Sequence, residues 1–197
     1  NWFYSLIAMA TVLENTHPFK TVLGYATLLG EDGRPMHKSW GNAVEFNEGA
    51  DSIGVDVMRW MYASQDPKEN LLFGYKVADA VRRRFHLMLW NAFRFVTSNR
   101  DAQSFELGSA SGKPTLLDRW ILSRLQSTIG VVTKSLMKFD ARSATLVLEN
   151  LVTDFSTWYI RRSRERAGQS LISLASKRAF YKTSFEVLTT IAQLIAP

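Results

Sequence analysis

The hydrophobic positions of this chain recur mainly three and four residues apart, which is the spacing of one face of an α-helix. Near the start, Phe3, Leu6, Ile7, Ala10 and Leu13 follow this spacing and predict a helix over residues 2–14. The same pattern predicts five further helices, over residues 55–64, 75–96, 115–137, 140–166 and 171–195. The chain is therefore expected to be mainly α.

One stretch departs from helical spacing. Residues 19–29 are rich in Val, Leu, Tyr and Thr, which favour extended backbone, and they predict a strand. Glu31-Asp32-Gly33 follows, and it predicts a tight hairpin turn because Gly tolerates the positive φ of a primed turn. Residues 46–51 are polar and predict a turn-rich loop. A helix leading into a strand is typical of the end of an α/β domain, whereas the helices beyond residue 75 favour an antiparallel, up-and-down bundle.

Local signals mark the ends of the later helices. Thr115 followed by Asp118 predicts a capping box, and Asp140 predicts an N-cap. Gly168 predicts the end of the helix over 140–166. The last turns of that helix carry cations that complement its dipole, namely Arg161, Arg162, Arg164 and Arg166. Residues 99–114 are rich in Gly and Ser and predict a connecting loop, and no strand precedes them, so a phosphate-cradling role is not favoured.

Composition narrows the class of protein. Hydrophobic residues make up 46% of the chain and charged residues 21%, which is typical of a globular protein. The absence of cysteine excludes disulfides and thiolate metal sites and suits a reducing compartment. We expect a cytoplasmic location and no metal site within this chain. No apolar run reaches the roughly 20 residues of a membrane span. The chain opens on Asn1-Trp2-Phe3 rather than on methionine, and we interpret it as a piece of a longer protein.

The net charge of +6 is unevenly distributed. Residues 1–74 carry 5 Lys/Arg and 9 Asp/Glu, a net charge of −4, and residues 75–197 carry 19 and 9, a net charge of +10. A basic helical segment is typical of a protein that meets a polyanion such as nucleic acid, since phosphate neutralisation supplies most non-specific affinity. Solubility alone explains the same excess equally well.

Basic and aromatic side chains on two predicted helices are candidates for contact with RNA. They are Arg82, Arg83, Arg84, Trp158, Arg161 and Arg162. The alternatives are a salt-bridged helix face for the arginines and a core position for the aromatics. His86 is expected to be structural, and Asp51 and Asp56 are expected to be solvated or to stabilise helix starts rather than to form an acid–base pair.

The residues that follow the hairpin turn form the strongest candidate site. Arg34 to Asn42 is a short segment that carries one lysine, one hydroxyl and a Gly-Asn pair. A lysine on a mobile loop suits polyphosphate, because its ammonium is a point charge on a long, flexible stem. Taken by itself, a Lys-Ser pair after a hairpin is more often ordinary solvated surface.

The segment resembles the lysine-methionine-serine-lysine-serine signature of class I aminoacyl-tRNA synthetases. Met36, Lys38 and Ser39 match the methionine, the second lysine and the second serine of this signature. Pro35 occupies the position of its first lysine, and His37 the position of its first serine. Residues 54–60 are similar to the helix that follows this signature in the isoleucyl, valyl and leucyl branch of that family. Residues 117–125 and 155–164 are similar to the helical anticodon-binding domain of the isoleucyl enzymes. The resemblance covers nearly the whole chain, with order and spacing preserved.

The resemblance implies that residues 1–74 end a Rossmann-like α/β catalytic domain and that residues 75–197 belong to a helical anticodon-binding domain. Lys38 is then the catalytic residue, and Met36, His37, Lys38 and Ser39 bind ATP. The implied ligands of the complete enzyme are ATP with Mg²⁺, isoleucine and tRNA(Ile). The tRNA would be held by Arg82, Arg83, Arg84, Trp158, Arg161 and Arg162.

The resemblance also implies that parts of the enzyme lie outside this chain. The histidine-isoleucine-glycine-histidine signature and the editing domain of the family do not occur in the sequence, so the chain alone is expected to be inactive. The complete enzyme is expected to act as a monomer. Two alternatives stay open. One is a valyl- or leucyl-tRNA synthetase, and the other is a non-catalytic helical RNA-binding module.

Overall fold

The structure, a computed structural model, describes residues 2–98, 113–168 and 173–196. In chain order the elements are α1 (Trp2–Glu14), β1 (Leu28–Gly30), α2 (Phe46–Ile53), α3 (Val55–Ser64), β2 (Leu71–Phe73), α4 (Tyr75–Val81), α5 (Met88–Ser98), α6 (Leu116–Leu136), α7 (Ala141–Thr153), α8 (Arg161–Ala167) and α9 (Leu174–Ile195). Two π-helical segments, Arg82–Leu87 and Asp154–Ile160, join α4 to α5 and α7 to α8. The described chain is mostly helical, as predicted.

The predicted helices are present, with differences at their ends. The helices over 75–96 and 140–166 each contain a π-helical segment that the sequence pattern did not predict. Ser173 caps the last helix by accepting a hydrogen bond from the backbone N–H of Ser176, and the predicted start at 171–172 lies outside the described residues. Most of the predicted connecting loop, over 99–112, lies outside them as well. Among the described helices, none is long and apolar enough to cross a membrane.

The predicted strand over 19–29 is wrong in extent. Only residues 28–30 form a strand, and β1 pairs in parallel with β2, where Leu28 lies opposite Leu71 and Gly30 opposite Phe73. Strand propensity alone does not produce a strand, because the backbone groups also need a partner. The sequence pattern missed β2 because three apolar residues give no periodicity. The predicted hairpin is present in short form, as a single antiparallel bridge between Leu29 and Pro35.

The predicted loop over 46–51 is also wrong, because these residues lie in α2. The Glu45 carboxylate accepts hydrogen bonds from the backbone N–H groups of Asn47, at 2.7 Å, and of Glu48, at 3.1 Å. These bonds satisfy two of the four free donors at the helix start. Gly49 is buried, and a Cβ there would lie 3.2 Å from a methyl group of Val44. The glycine that made this segment look like a turn therefore allows close packing inside a helix.

Aromatic side chains join the two parts of the chain in one core. Trp60 of α3 stacks on Phe85 of the first π-helical segment, with ring centroids 3.7 Å apart and ring planes within 6° of parallel. Farther along, Tyr159 stacks on Phe155 and on Phe180 of α9. Burying such a side chain contributes about 1.5–3 kcal/mol. The segment before residue 75 is thus packed directly against the helices that follow it.

A buried ionic cluster connects α6, the second π-helical segment and α8. Asp118 is fully buried and forms the predicted capping box with Thr115. Its carboxylate also accepts hydrogen bonds from both terminal nitrogens of Arg166, at 2.9 and 2.8 Å, and from the Tyr159 hydroxyl, at 2.7 Å. Arg166 lies in the last turn of α8, as predicted, and its side chain points into the protein, where it pairs with Asp118. The other predicted N-cap, Asp140, is confirmed.

Candidate functional site

The candidate loop leaves the protein on a tightly held hairpin. The backbone N–H of Gly30 donates to the carbonyl oxygen of Arg34 at 2.8 Å, which fixes the first residue of the loop against the end of β1. Gly33 has φ +75°, the left-handed value that the turn requires. The position of the loop is therefore set by the small parallel sheet.

Lys38 begins a single 3₁₀ turn, Lys38–Trp40, at the far end of this loop. Gly41 closes the turn in the left-handed conformation, with φ +69°. The side chains of Lys38 and Ser39 are exposed. Among residues 2–98, 113–168 and 173–196, no carboxylate pairs with the Lys38 ammonium. The turn thus presents an uncommitted cation and a hydroxyl to solvent.

The neighbours of Lys38 differ in their surroundings. Met36 is partly buried and packs against the hydrophobic core, so it anchors the loop. The ring of His37 contacts the ring of Trp40, with centroids 4.4 Å apart, and Trp40 remains 61% exposed. The loop therefore has one residue fixed in the protein and a polar and aromatic surface around Lys38.

Asn42 holds the two ends of the loop together. The sequence pattern did not predict this role. Its side-chain oxygen accepts the backbone N–H of His37 at 2.9 Å, and its side-chain nitrogen donates to the carbonyl oxygen of Pro35 at 3.1 Å. These bonds lie on either side of Met36. The Gly-Asn pair after the hydroxyl was a visible signal, but the pattern alone does not show what the amide contacts.

The turn before the loop is attached to the start of α4. Glu31 accepts hydrogen bonds from the backbone N–H groups of Lys76 and Val77, the second at 3.0 Å. Gly74 precedes the helix, and a Cβ there would lie only 2.1 Å from Cγ of Glu31. A side chain at this position would therefore force the Glu31 side chain to move away from the helix start. The turn that precedes the candidate loop is therefore in direct contact with the start of α4.

The three consecutive arginines make contacts with the protein itself. Arg82 donates to the backbone carbonyl oxygens of Ser52, at 3.1 Å, and Ile53, at 2.6 Å, at the end of α2. Arg83 pairs with Asp79 on the same helix. Arg84 pairs with Glu149 of α7 at 3.0 Å, and that carboxylate also accepts the ring N–H of Trp60 at 2.9 Å. This arrangement matches the alternative that the sequence left open, in which the arginines form a salt-bridged helix face. Their contact with RNA stays a prediction.

The second group of candidate residues is more accessible. Trp158 is 49% exposed, and the guanidinium of Arg162 lies 4.5 Å from the centre of its ring. Arg161 is also exposed, whereas Tyr159 is fully buried. All six candidates lie within a π-helical segment or directly after one. Such segments are frequent at functional sites because the extra residue changes the directions of the side chains that follow.

His86 follows the three arginines and lies among aromatic side chains of the core. Burial lowers the pKa of His86, with Asp56 acting in the opposite direction, and its ring lies edge-on to Trp60 and Phe85. A neutral, packed histidine fits the structural role predicted for it. In the described part of the chain, no group of three or more His, Asp or Glu side chains is placed to hold a metal ion.

Two models of known protein families match the chain, one at each end. Residues 1–73 match the model for class I tRNA synthetases of the I, L, M and V group. Residues 118–197 match the model for the anticodon-binding domain of tRNA ligases. The first match contains the candidate loop, and the second contains Trp158, Arg161 and Arg162.

Curated relatives and a solved structure agree with these matches. The chain is 35% identical to the isoleucine–tRNA ligase of Deinococcus radiodurans and 33% identical to that of Thermus thermophilus, in both cases over its whole length. It spans about a fifth of those proteins, 18% and 19% of their lengths. The leucyl-tRNA synthetase LeuRS of Agrobacterium radiobacter K84, solved in a ternary complex with tRNA and LeuAMS, has the same fold over 98% of this chain and 24% of its own, with a TM-score of 0.61 at 16% identity. This chain belongs to the class I tRNA synthetases, and the isoleucine–tRNA ligases are its relatives.

Proposed function

We propose that this chain is part of an isoleucine–tRNA ligase and that its exposed loop binds the phosphates of ATP. The complete enzyme would join isoleucine to AMP with release of pyrophosphate, and then transfer the isoleucyl group to tRNA(Ile). The observation that supports this role is the exposed 3₁₀ turn that carries Lys38 without a carboxylate partner among the described residues. An ammonium group that no carboxylate neutralises is available to bind an anionic ligand.

The proposed role of Lys38 is electrostatic. As the bond between the α- and β-phosphates breaks, negative charge accumulates on the leaving pyrophosphate, and an ammonium placed there stabilises the transition state more than the ground state. Ser39 would donate a hydrogen bond to the same oxygens. His37 would contribute a ring N–H, and Met36 would pack near the adenine. Mg²⁺ would enter with ATP and neutralise part of the phosphate charge.

We further propose a division of labour along the chain. Residues 1–74 would complete the catalytic domain, and residues 75–197 would belong to an antiparallel helical bundle that holds tRNA. The bundle would contact the tRNA backbone through cations and stack unpaired bases on exposed aromatic side chains. Trp158 with Arg162 suits this role better than the arginines at 82–84, since the contacts of the latter are with protein groups. We expect the complete enzyme to act as a monomer in the cytoplasm.

The proposed catalytic role is tested by Lys38→Ala in the full-length enzyme. Removing one cation from a transition state of this kind is expected to lower kcat for isoleucine-dependent ATP–pyrophosphate exchange by about 10²- to 10³-fold. Lys68→Ala removes an exposed lysine from another loop and serves as the matched control, with no expected change. Unchanged exchange in Lys38→Ala would contradict the proposal and favour a non-catalytic RNA-binding module.

The amino acid and the tRNA are tested separately. Exchange that depends on valine or leucine rather than isoleucine would favour one of the sibling synthetases. Arg162→Ala should weaken tRNA binding and reduce its salt dependence by about one unit of slope, because one phosphate contact is lost. Arg124→Ala, on a different helix and paired with Asp154, is the control. The chain of 197 residues alone should give no exchange, and measurable exchange would refute that expectation.

A further inference from the structure

Asn42 is the residue that closes the base of the Lys38 loop. It follows the turn, and Gly41 returns the backbone so that the Asn42 side chain faces the residues that precede the turn. Its amide accepts from the N–H of His37 at 2.9 Å and donates to the carbonyl of Pro35 at 3.1 Å. Both partners are backbone groups, so the bonds fix the path of the chain rather than one side chain. The segment between them contains Met36, which is partly buried and packs against the core.

The loop is held from two sides at this point. On one side, Pro35 forms the antiparallel bridge to Leu29 of β1. On the other side stands the Asn42 amide, and a Cβ added to Gly30 would come within 3.6 Å of its nitrogen. Beyond these contacts, the 3₁₀ turn is closed by its own backbone hydrogen bonds, from Trp40 to His37 at 3.1 Å and from Gly41 to Lys38 at 3.2 Å. The described contacts therefore place the fixed base at 35–37 and 42, directly next to Lys38.

We propose that Asn42 is a positioning residue for the reaction, which acts by holding the loop so that the Lys38 ammonium is aimed at the leaving phosphates. This inference rests on the proposed function of Lys38. A primary amide is required because one atom must accept and the other must donate. Alanine removes both hydrogen bonds, and aspartate keeps the shape and the acceptor but places an oxygen against the Pro35 carbonyl oxygen.

The expected effect follows from the two bonds. Each neutral hydrogen bond stabilises one arrangement by an amount that changes its population a few-fold. Asn42→Ala should therefore lower kcat for isoleucine-dependent ATP–pyrophosphate exchange about tenfold in the full-length enzyme, with the KM for isoleucine unchanged. Asn42→Asp, which preserves the packing volume, should lower it about fivefold. Asn70→Ala is the matched control, since the Asn70 amide also accepts a backbone N–H, that of Thr27 at 3.0 Å, outside the loop.

A double-mutant cycle with Lys38→Ala separates positioning from general stability. If Asn42 acts through Lys38, Asn42→Ala should change the residual rate of Lys38→Ala enzyme by less than about twofold, because the group that it positions is gone. An equal tenfold loss in both backgrounds would show a structural defect and overturn the inference. So would a wild-type rate in Asn42→Ala enzyme when Lys38→Ala is strongly impaired. If Lys38→Ala is itself unimpaired, the proposed function fails, and a catalytic role of Asn42 fails with it.

Limited proteolysis tests the positioning without using the reaction. Trypsin cleaves after Lys38 at a rate that depends on how often the loop leaves its folded path. In the full-length enzyme, Asn42→Ala should accelerate this cleavage about tenfold, while the control Asn70→Ala leaves it unchanged. Cleavage elsewhere in the protein should keep its wild-type rate. An unchanged rate after Lys38 would overturn the inference even if exchange is impaired.

Discussion

Replacing Arg166 by methionine tests the buried ionic cluster. Asp118 is fully buried, and the Arg166 side chain is only 12% exposed. Methionine preserves much of the side-chain volume but removes the charge, so the substitution leaves a carboxylate without its cation in the interior. Breaking a buried pair in this way costs about 3–5 kcal/mol, most of which is the penalty of the unpaired charge.

The magnitude is supported by the number of contacts that depend on Arg166. Besides its two bonds to Asp118, the guanidinium donates to the hydroxyl oxygen and the backbone carbonyl oxygen of Ser176 in α9, at 3.1 Å each. Arg166 therefore joins α6, α8 and the start of α9. Arg166→Lys retains the charge but not the paired geometry of the guanidinium, so we expect a smaller but clear loss of stability.

Urea unfolding of the 197-residue chain, followed by circular dichroism at neutral pH, measures this effect. With an m value of about 2–3 kcal/mol per molar for a chain of this size, the loss corresponds to a decrease in the midpoint of about 1–2.5 M. The control is Arg124→Met. The Arg124–Asp154 pair is 46% and 31% exposed, and such pairs contribute about 1 kcal/mol or less.

The same cluster predicts how the difference depends on pH. Burial raises the pKa of Asp118, but hydrogen bonds from Arg166, Tyr159 and Thr115 outweigh burial and hold that pKa below its ordinary value. In the native chain, Asp118 thus contributes stability above the unfolded pKa of about 3.9, and this contribution is lost as the pH falls through the lower, folded value. Without Arg166 the folded pKa rises, so the deficit of Arg166→Met should narrow on acidification. A deficit below about 1 kcal/mol at pH 7, or one that does not narrow, would refute the reasoning.

Three further substitutions test other contacts by urea unfolding. Gly74→Ala should lower the free energy of unfolding by about 1–3 kcal/mol, because the new Cβ would lie 2.1 Å from Cγ of Glu31. In the Glu31→Ala background the same substitution should cost much less. An undiminished cost there would argue against the clash. Trp60→Phe should cost about 1 kcal/mol through loss of its hydrogen bond to the Glu149 carboxylate. Trp90→Phe, at an exposed tryptophan, should leave the free energy of unfolding unchanged. Asp140→Ala should cost about 1 kcal/mol at pH 7 through loss of the N-cap. Hydrogen bonds from Ser143 lower the pKa of Asp140, so this cost should shrink as the pH falls through the lowered pKa. A cost that does not change on acidification would contradict this origin.

The sequence by itself determined the features that depend on neighbours along the chain. Helical spacing identified the described helices except α2, which was predicted as a loop. The caps at Thr115 and Asp140 were visible because a capping side chain bonds to a backbone N–H three residues away. The register of Met36, Lys38 and Ser39 was also visible, and the turn at Gly33 fixes where that loop begins. These features need no knowledge of which distant segments meet.

Only the tertiary structure decided which polar groups are buried and which partners they have. Glu31 accepts a hydrogen bond from Lys76 across 45 residues, Trp60 bonds to Glu149 across 89, and Asp118 bonds to Arg166 across 48. An arginine that ends inside the protein and one that stays at the surface look the same in the hydrophobic pattern. The short pairing of β1 with β2 has the same origin, because a strand of three residues exists only where a partner supplies its hydrogen bonds. Local spacing thus determines most of the helices and their caps, whereas contacts over long sequence separations determine the short strands and the partners of the buried polar side chains.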